Sequence, residues 1–180
     1  VNDCVGVVNG AKYLKSLSFI DPERIGVWGI SYGGYMTLHA LAKHPDIFKL
    51  GINFAGIFNI KSWMEWVEKN YPQDTDFFKA RMGGEVKDNP EAYYKASPIS
   101  HVTTVKSPLF NFQGTEDEAV NFKQLDEIVT AMVENEKYFE VCYYPGEEHA
   151  FRNRKTWKDA FSKVEKYFNK YLKSERGSSK

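Results

Sequence analysis

Apolar residues along this 180-residue chain fall into two rhythms. Short, nearly continuous apolar runs are bounded by glycine or proline. Between them lie longer stretches in which apolar residues recur every three or four positions. Runs of the first kind read as strands, and stretches of the second kind as amphipathic helices. The runs at 24–28, 51–55, 107–114 and 138–144 predict four strands. Val5, Val8, Leu14 and Leu17 predict an opening helix, and Tyr35-Met-Thr-Leu-His-Ala-Leu-Ala-Lys43 a second, made mostly of helix formers. Phe122, Leu125, Ile128, Val129 and Met132 mark the face of a third. Trp157, Phe161, Val164, Tyr167, Phe168, Tyr171 and Leu172 mark the face of a last one. These stripes read as core, not as cofactor boxes. Strands alternating with helices predict an α/β fold with a mostly parallel sheet and flanking helices.

The stretch from 57 to 105 is longer than a simple crossover. It carries Trp63, Trp66, Tyr71, Phe77 and Phe78, and Asp88-Asn-Pro90 reads as a helix start. No internal repeat or low-complexity segment interrupts residues 1–173, which read as one unit. Residues 174–180 form a polar tail, expected to fray.

One junction between rhythms carries chemistry. Arg24-Ile-Gly-Val-Trp28 is followed by Gly29-Ile-Ser-Tyr-Gly-Gly34 and then by the second helix. A serine between glycines where a strand turns into a helix is a nucleophile elbow. The turn is sharp, and side chains at positions 29 and 33 are expected to collide with the backbone. Such a turn lifts the Ser31 hydroxyl above the sheet and aims the Tyr32 N–H at a developing oxyanion.

An elbow serine needs an acid and a histidine on loops after later strands, in that order. Asp117 lies three residues past Gly114, at the end of the third strand run, with Glu116 and Glu118 as competitors. His149 follows the fourth run and is the one histidine beyond Asp117. His39 lies inside the helix after the elbow, His44 at its end, and His101 precedes the acid. The reading is therefore a triad of Ser31, Asp117 and His149. His149 would take the Ser31 proton and pass it to the leaving group, while Asp117 holds the imidazole. That chemistry needs no cofactor, and no spacing of His, Cys or carboxylates reads as a metal site.

Composition narrows the partners. Twenty-four basic and 24 acidic residues cancel, which gives no bulk attraction to nucleic acid or an anionic membrane. No apolar run is long enough to span a bilayer. Cys4 and Cys142 do not make a disulfide framework and read as buried free thiols.

Three blocks carry a family resemblance: Gly29-Ile-Ser-Tyr-Gly-Gly-Tyr35, Gln113-Gly-Thr-Glu-Asp-Glu-Ala-Val120 and Tyr144-Pro-Gly-Glu-Glu-His-Ala-Phe151. They resemble the catalytic blocks of the prolyl oligopeptidase family of serine peptidases. The Ser-Tyr-Gly-Gly-Tyr run is typical of its dipeptidyl-peptidase and acylaminoacyl-peptidase branches. Asp21-Pro-Glu-Arg-Ile25 and Tyr93-Tyr-Lys-Ala-Ser-Pro98 also look familial. Two positions depart from the pattern: Asn121 stands where proline is frequent, and Glu148 where glycine is frequent. Glu148 adds a negative charge near His149 that favours the imidazolium.

The resemblance implies the C-terminal half of an α/β-hydrolase domain acting on short peptides through an acyl-enzyme. It also implies a larger protein, with earlier strands, a second oxyanion donor and a β-propeller upstream of Val1. The chain alone is then expected to be a weak catalyst. The strand edge from Ile25 to Trp28 is expected to pair with a second copy or with that upstream segment. Ile57, Trp63, Trp66 and Val120, with Tyr32, are expected to line the pocket for the residue preceding the scissile bond. The alternative is a carboxylesterase of the dienelactone-hydrolase or acetylesterase type, which shares the elbow and a similar histidine loop.

Overall fold

The computed structural model describes residues 3–173; the polar tail expected at 174–180 lies outside the described residues. In chain order the elements are α1 (Asp3–Ser16), β1 (Gly26–Ile30), α2 (Tyr32–Lys43), β2 (Leu50–Phe54), α3 (Ile60–Asn70), α4 (Asp76–Met82), α5 (Pro90–Ala96), β3 (Leu109–Gly114), α6 (Lys123–Glu134), β4 (Phe139–Tyr144) and α7 (Arg154–Tyr171). Two 3-10 turns, Pro72–Asp74 and Pro98–Thr104, fall within the long excursion between β2 and β3. The four strands form one parallel sheet in the order β1-β2-β3-β4. That is the α/β architecture anticipated from the alternating rhythms.

The sheet's two faces are covered differently. Gly51 faces Leu41 and Thr37 of α2, so α2 lies close on one face of β2. The core there continues through α1, α6 and the excursion. The opposite face packs Leu50, Ile52, Phe54, Phe110 and Phe112 against Ala160, Val164 and Tyr167 of α7. Phe54 stacks on Phe112 at 4.5 Å, and Phe110 on Tyr167 at 3.5 Å. Every residue of β2 and β3 is buried, which is why those two strands read as continuous apolar runs.

Two helix faces differ from the pattern expected. The buried face of α1 is Cys4, Val8 and Ala11, while Val5 and Leu14 are exposed. Cys4 and Ala11 are small, and a helix that approaches α2 closely buries small residues. On α7 the buried line is Ala160, Val164 and Tyr167, with Phe161 and Phe168 left exposed. Phe161 nonetheless lies against Phe54 of β2, with ring centroids 6.2 Å apart. The cysteines lie on opposite faces of the sheet, Cys4 buried and Cys142 half-buried, and both are free. Burial pushes both thiols above their ordinary values. Among the described residues no helix is long and apolar enough to cross a membrane.

Candidate active site

The carboxyl ends of the four strands define one rim, the usual place for a site in a parallel α/β sheet. Ile30 is in register with Phe54, Phe54 with Phe112, and Phe112 with Cys142. Ser31 leaves β1 at this rim, Asp117 follows β3 and His149 follows β4.

Ser31 has φ 56° and ψ −118°, a left-handed conformation that costs a non-glycine residue about 1–3 kcal/mol. Its N–H is tied to the Phe54 carbonyl at 2.8 Å, which fixes the turn to β2. Ser31 occupies the N-cap position of α2, yet its side chain makes no capping hydrogen bond. The strained backbone turns the hydroxyl away from the role a serine normally takes there. Tyr32, the first residue of α2, presents its N–H at the positive end of the helix dipole.

The glycine requirement differs in part from expectation. A Cβ on Gly29 would stand 2.2 Å from the carbonyl carbon of Gly33, so glycine is required at 29. A Cβ on Gly33 would meet nothing within 4 Å. The second crowded position is Gly34, where a Cβ would lie 2.0 Å from Asn53 Oδ1 and 2.8 Å from Gly56 Cα. The elbow helix thus rests on β2 at Gly34, a contact between segments distant in sequence.

The acid is held by a dense set of donors. Asp117, its side chain fully buried, accepts from the backbone N–H of Ala119 (2.9 Å) and Val120 (2.8 Å) at Oδ1 and from Gln113 Nε2 (2.8 Å) at Oδ2. His149 Nδ1 lies 2.9 Å from Oδ2 and 3.1 Å from Oδ1. An ionised carboxylate only accepts, so Nδ1 carries the proton and Nε2 of the neutral ring carries the lone pair. Glu116 and Glu118, the competing acids, are exposed on the same loop.

The histidine loop is closed by a residue that the sequence pattern did not single out. Glu147 is 6 % exposed and accepts from Arg152 N–H (2.6 Å), Asn153 N–H (3.3 Å) and Thr156 Oγ1 (2.5 Å). These donors flank the start of α7, so Glu147 binds the ends of the loop carrying His149. The Thr156 hydroxyl above all, with the backbone donors, holds its carboxyl below the usual value. Gln124 does similar service for the excursion: its Oε1 accepts from Phe58 and Asn59 N–H, and its Nε2 donates to Ser62.

A cavity of about 500 Å³ opens beside His149. Trp63, Trp66, Tyr71 and Phe78 supply its aromatic wall, and Glu116, Glu118 and Glu148 also line it. Trp63 Nε1 donates to the Ala119 carbonyl at 2.9 Å and so pins α3 to the acid loop. Ile57 and Tyr32 line a second cavity of about 360 Å³, which shares Phe78 with the first. The four residues expected to form one pocket are therefore divided. Val120 lines neither cavity; it is 2 % exposed, and its N–H serves Asp117 instead.

Known proteins resemble this chain in sequence and fold. The family model described as "Prolyl oligopeptidase family" matches residues 1–175. An acylamino-acid-releasing enzyme of Arabidopsis thaliana is 28% identical over 182 residues, covering 96% of this chain and 23% of the relative. Dipeptidyl peptidase 4 of Felis catus is 30% identical over 150 residues, covering 79% of this chain and 18% of the relative. Among solved structures, uncomplexed Pyrococcus horikoshii acylaminoacyl peptidase superposes with a TM-score of 0.84 at 26% identity, over 100% of this chain and 29% of its own. The chain thus spans about a quarter or less of the length of the curated relatives it matches.

Proposed function

The chain belongs to the prolyl oligopeptidase family, and we propose that it carries the nucleophile, acid and base of a serine peptidase acting on short peptides. The observation that carries this reading is the Asp117–His149 hydrogen bond on the same strand rim as a strained elbow serine. His149 Nε2 takes the Ser31 proton as Oγ attacks the scissile carbonyl carbon. The tetrahedral oxyanion is stabilised by the Tyr32 N–H. The imidazolium gives its proton to the leaving amine, leaving an acyl-enzyme, and water activated by the same nitrogen releases the acid. Asp117 keeps the ring in the required tautomer and stabilises its charged form. Trp63 and Trp66, beside His149, form the apolar wall of the substrate pocket, Ile57 adjoins it next to Tyr32, and Val120 acts through Asp117.

By itself the chain is a weak catalyst on this reading. The family resemblance supplies a second oxyanion donor from an upstream segment, and losing one such donor costs about 10²–10³ in rate. The esterase alternative is not favoured, because the named relatives are peptidases and an acylamino-acid-releasing enzyme.

The test is made in the intact protein. A fluorophosphonate should label Ser31, and Ser31→Ala or His149→Ala should lower kcat on an aminoacyl anilide by about 10⁴–10⁶. Asp117→Asn should lower it by about 10⁴. More than a few per cent of activity in either of the first two variants would sink the assignment. Damage from Glu116→Gln or Glu118→Gln in place of Asp117→Asn would move the acid.

A further inference from the structure

The two oxygens of Asp117 are served differently. The backbone donors, Ala119 and Val120, both go to Oδ1. Oδ2, the oxygen nearer His149 Nδ1, receives its other hydrogen bond from the Gln113 side chain at 2.8 Å. Gln113 is 1 % exposed, and its Nε2 also reaches the Val120 carbonyl at 3.2 Å. Both partners are acceptors, so chemistry settles which end of the amide faces them: both N–H groups are committed. Gln113 also sits on β3, a strand buried along its whole length beneath the rim, and not on the loop it braces.

We infer that Gln113 is a positioning residue of this site, which orients the Asp117 carboxylate and tempers the charge that Oδ2 presents to His149. The inference rests on the proposed triad. A carboxylate oxygen shared between two donors holds each less strongly than one serving a single donor. Removing the amide concentrates charge on Oδ2, stabilises the imidazolium and frees the carboxylate to rotate. The base is then harder to deprotonate and less well aimed.

The experiment compares kcat and KM against pH for the intact protein, Gln113→Met and Gln113→Glu, with fluorophosphonate titration of active sites. The charged groups on the elements that carry or adjoin the pair are Glu116 and Glu118 on the acid loop, Glu147, Glu148 and Arg152 on the histidine loop, and Lys123 and Asp126 at the start of α6. The facing residue of α3, Trp63, is uncharged. All are retained in each variant, so a shift reports on position 113. A net hydrogen bond of about 0.5–1.5 kcal/mol corresponds to about 0.4–1 pH unit. Gln113→Met should move the acid limb of the profile upward by about that much, and lower kcat about tenfold with KM little changed. An acid limb that superposes on the parent's overturns the inference. So does a titre that falls in step with activity while the limb stays put, which would mark a merely structural role. If Gln113→Met fails to fold, Gln113→Glu, of the same length, decides. Protonated, its carboxyl donates to Asp117; ionised, it repels it. Activity should therefore survive at low pH and disappear through a new titration, and a parent-like profile overturns the inference. Failure of fluorophosphonate to label Ser31 in the parent overturns the triad instead, an outcome distinct from all of these.

Discussion

A Cβ on Gly114 would stand 2.2 Å from the carbonyl oxygen of Glu147, with that of Glu148 at 2.6 Å. The loop carrying His149 therefore lies directly on the strand end that leads to Asp117. The Glu116 N–H donates to the same Glu147 carbonyl at 2.9 Å, so acid loop and histidine loop share a backbone seam. Backbone cannot swing aside as a flexible side chain can. Gly114→Ala is expected to lift the histidine loop and lengthen the 2.9 Å contact between His149 Nδ1 and Asp117. A misplacement near 1 Å at a catalytic group costs about 10²-fold in rate. Kinetics on an aminoacyl anilide check this, and a parent-like kcat in Gly114→Ala would show that the seam does not position the base.

The elbow separates three neighbouring glycines. Gly29→Ala would drive a methyl into the backbone of Gly33, and Gly34→Ala would drive one into Asn53 and Gly56. Both variants are expected to lose stability heavily. Gly33→Ala meets open space inside a helix, where alanine is favoured over glycine by about 0.5–1 kcal/mol. It should fold at least as stably as the parent. Thermal unfolding of the three variants checks the order, and a Gly33→Ala protein less stable than Gly34→Ala would contradict it.

The contrast between Gly33 and Gly34 shows what the chain discloses about itself. The strand–turn–helix context of Ser31 was legible because it is local: strand, turn and helix are consecutive. The order Ser31, Asp117, His149 was legible because each lies just past an apolar run. The four strands announced themselves by apolar runs, and the two inner ones, β2 and β3, are buried throughout. Contacts between distant segments left no such trace. That Gly34 rests on Asn53, that Gln113 braces Asp117 and that Glu147 ties down its loop are consequences of packing, and each residue has an unremarkable local context. The face of α1 was misplaced for the same reason. The pattern weighed large apolar residues, whereas close approach to α2 selects Cys4 and Ala11.

His39 gives the fold an acid limit. Its Nε2 bonds the Ala96 carbonyl at 2.9 Å, while its Nδ1 is buried without a partner. Protonation would bury a charge and an unpaired N–H, and burial accordingly lowers its pKa from 6.5 to about 4. Between those values the unfolded chain binds the proton and the folded one does not. The stability from keeping His39 neutral is full above pH 6.5, declines as pH falls and levels off near pH 4. The total is about 3 kcal/mol. Urea unfolding of the parent and of His39→Gln across this range is the check. The stability difference between them should shift in favour of the variant as pH falls, and parallel curves would rule the effect out.

The exposed side of β1 should make the chain associate when it is expressed alone. Among the described residues β1 has a single neighbour, β2. Its sequence, Gly-Val-Trp-Gly-Ile, contains none of the charges or prolines that usually blunt an edge. Trp28 and Ile30 are 53 % and 38 % exposed, and Phe161 of α7 is 47 % exposed. Trp28 and Phe161 both pack against Phe54, so they border one apolar face beside the open edge. A backbone row that seeks donors and acceptors next to apolar surface is a template for a further strand. Pairing with a second copy, or with an upstream segment supplied separately, would satisfy both. Sedimentation velocity over rising concentration should show association, and Trp28→Lys with Phe161→Lys should suppress it by placing charge at the edge. A well-behaved monomer at high concentration, with the parent residues in place, would mean that this edge is not sticky and that no partner strand is needed to cover it.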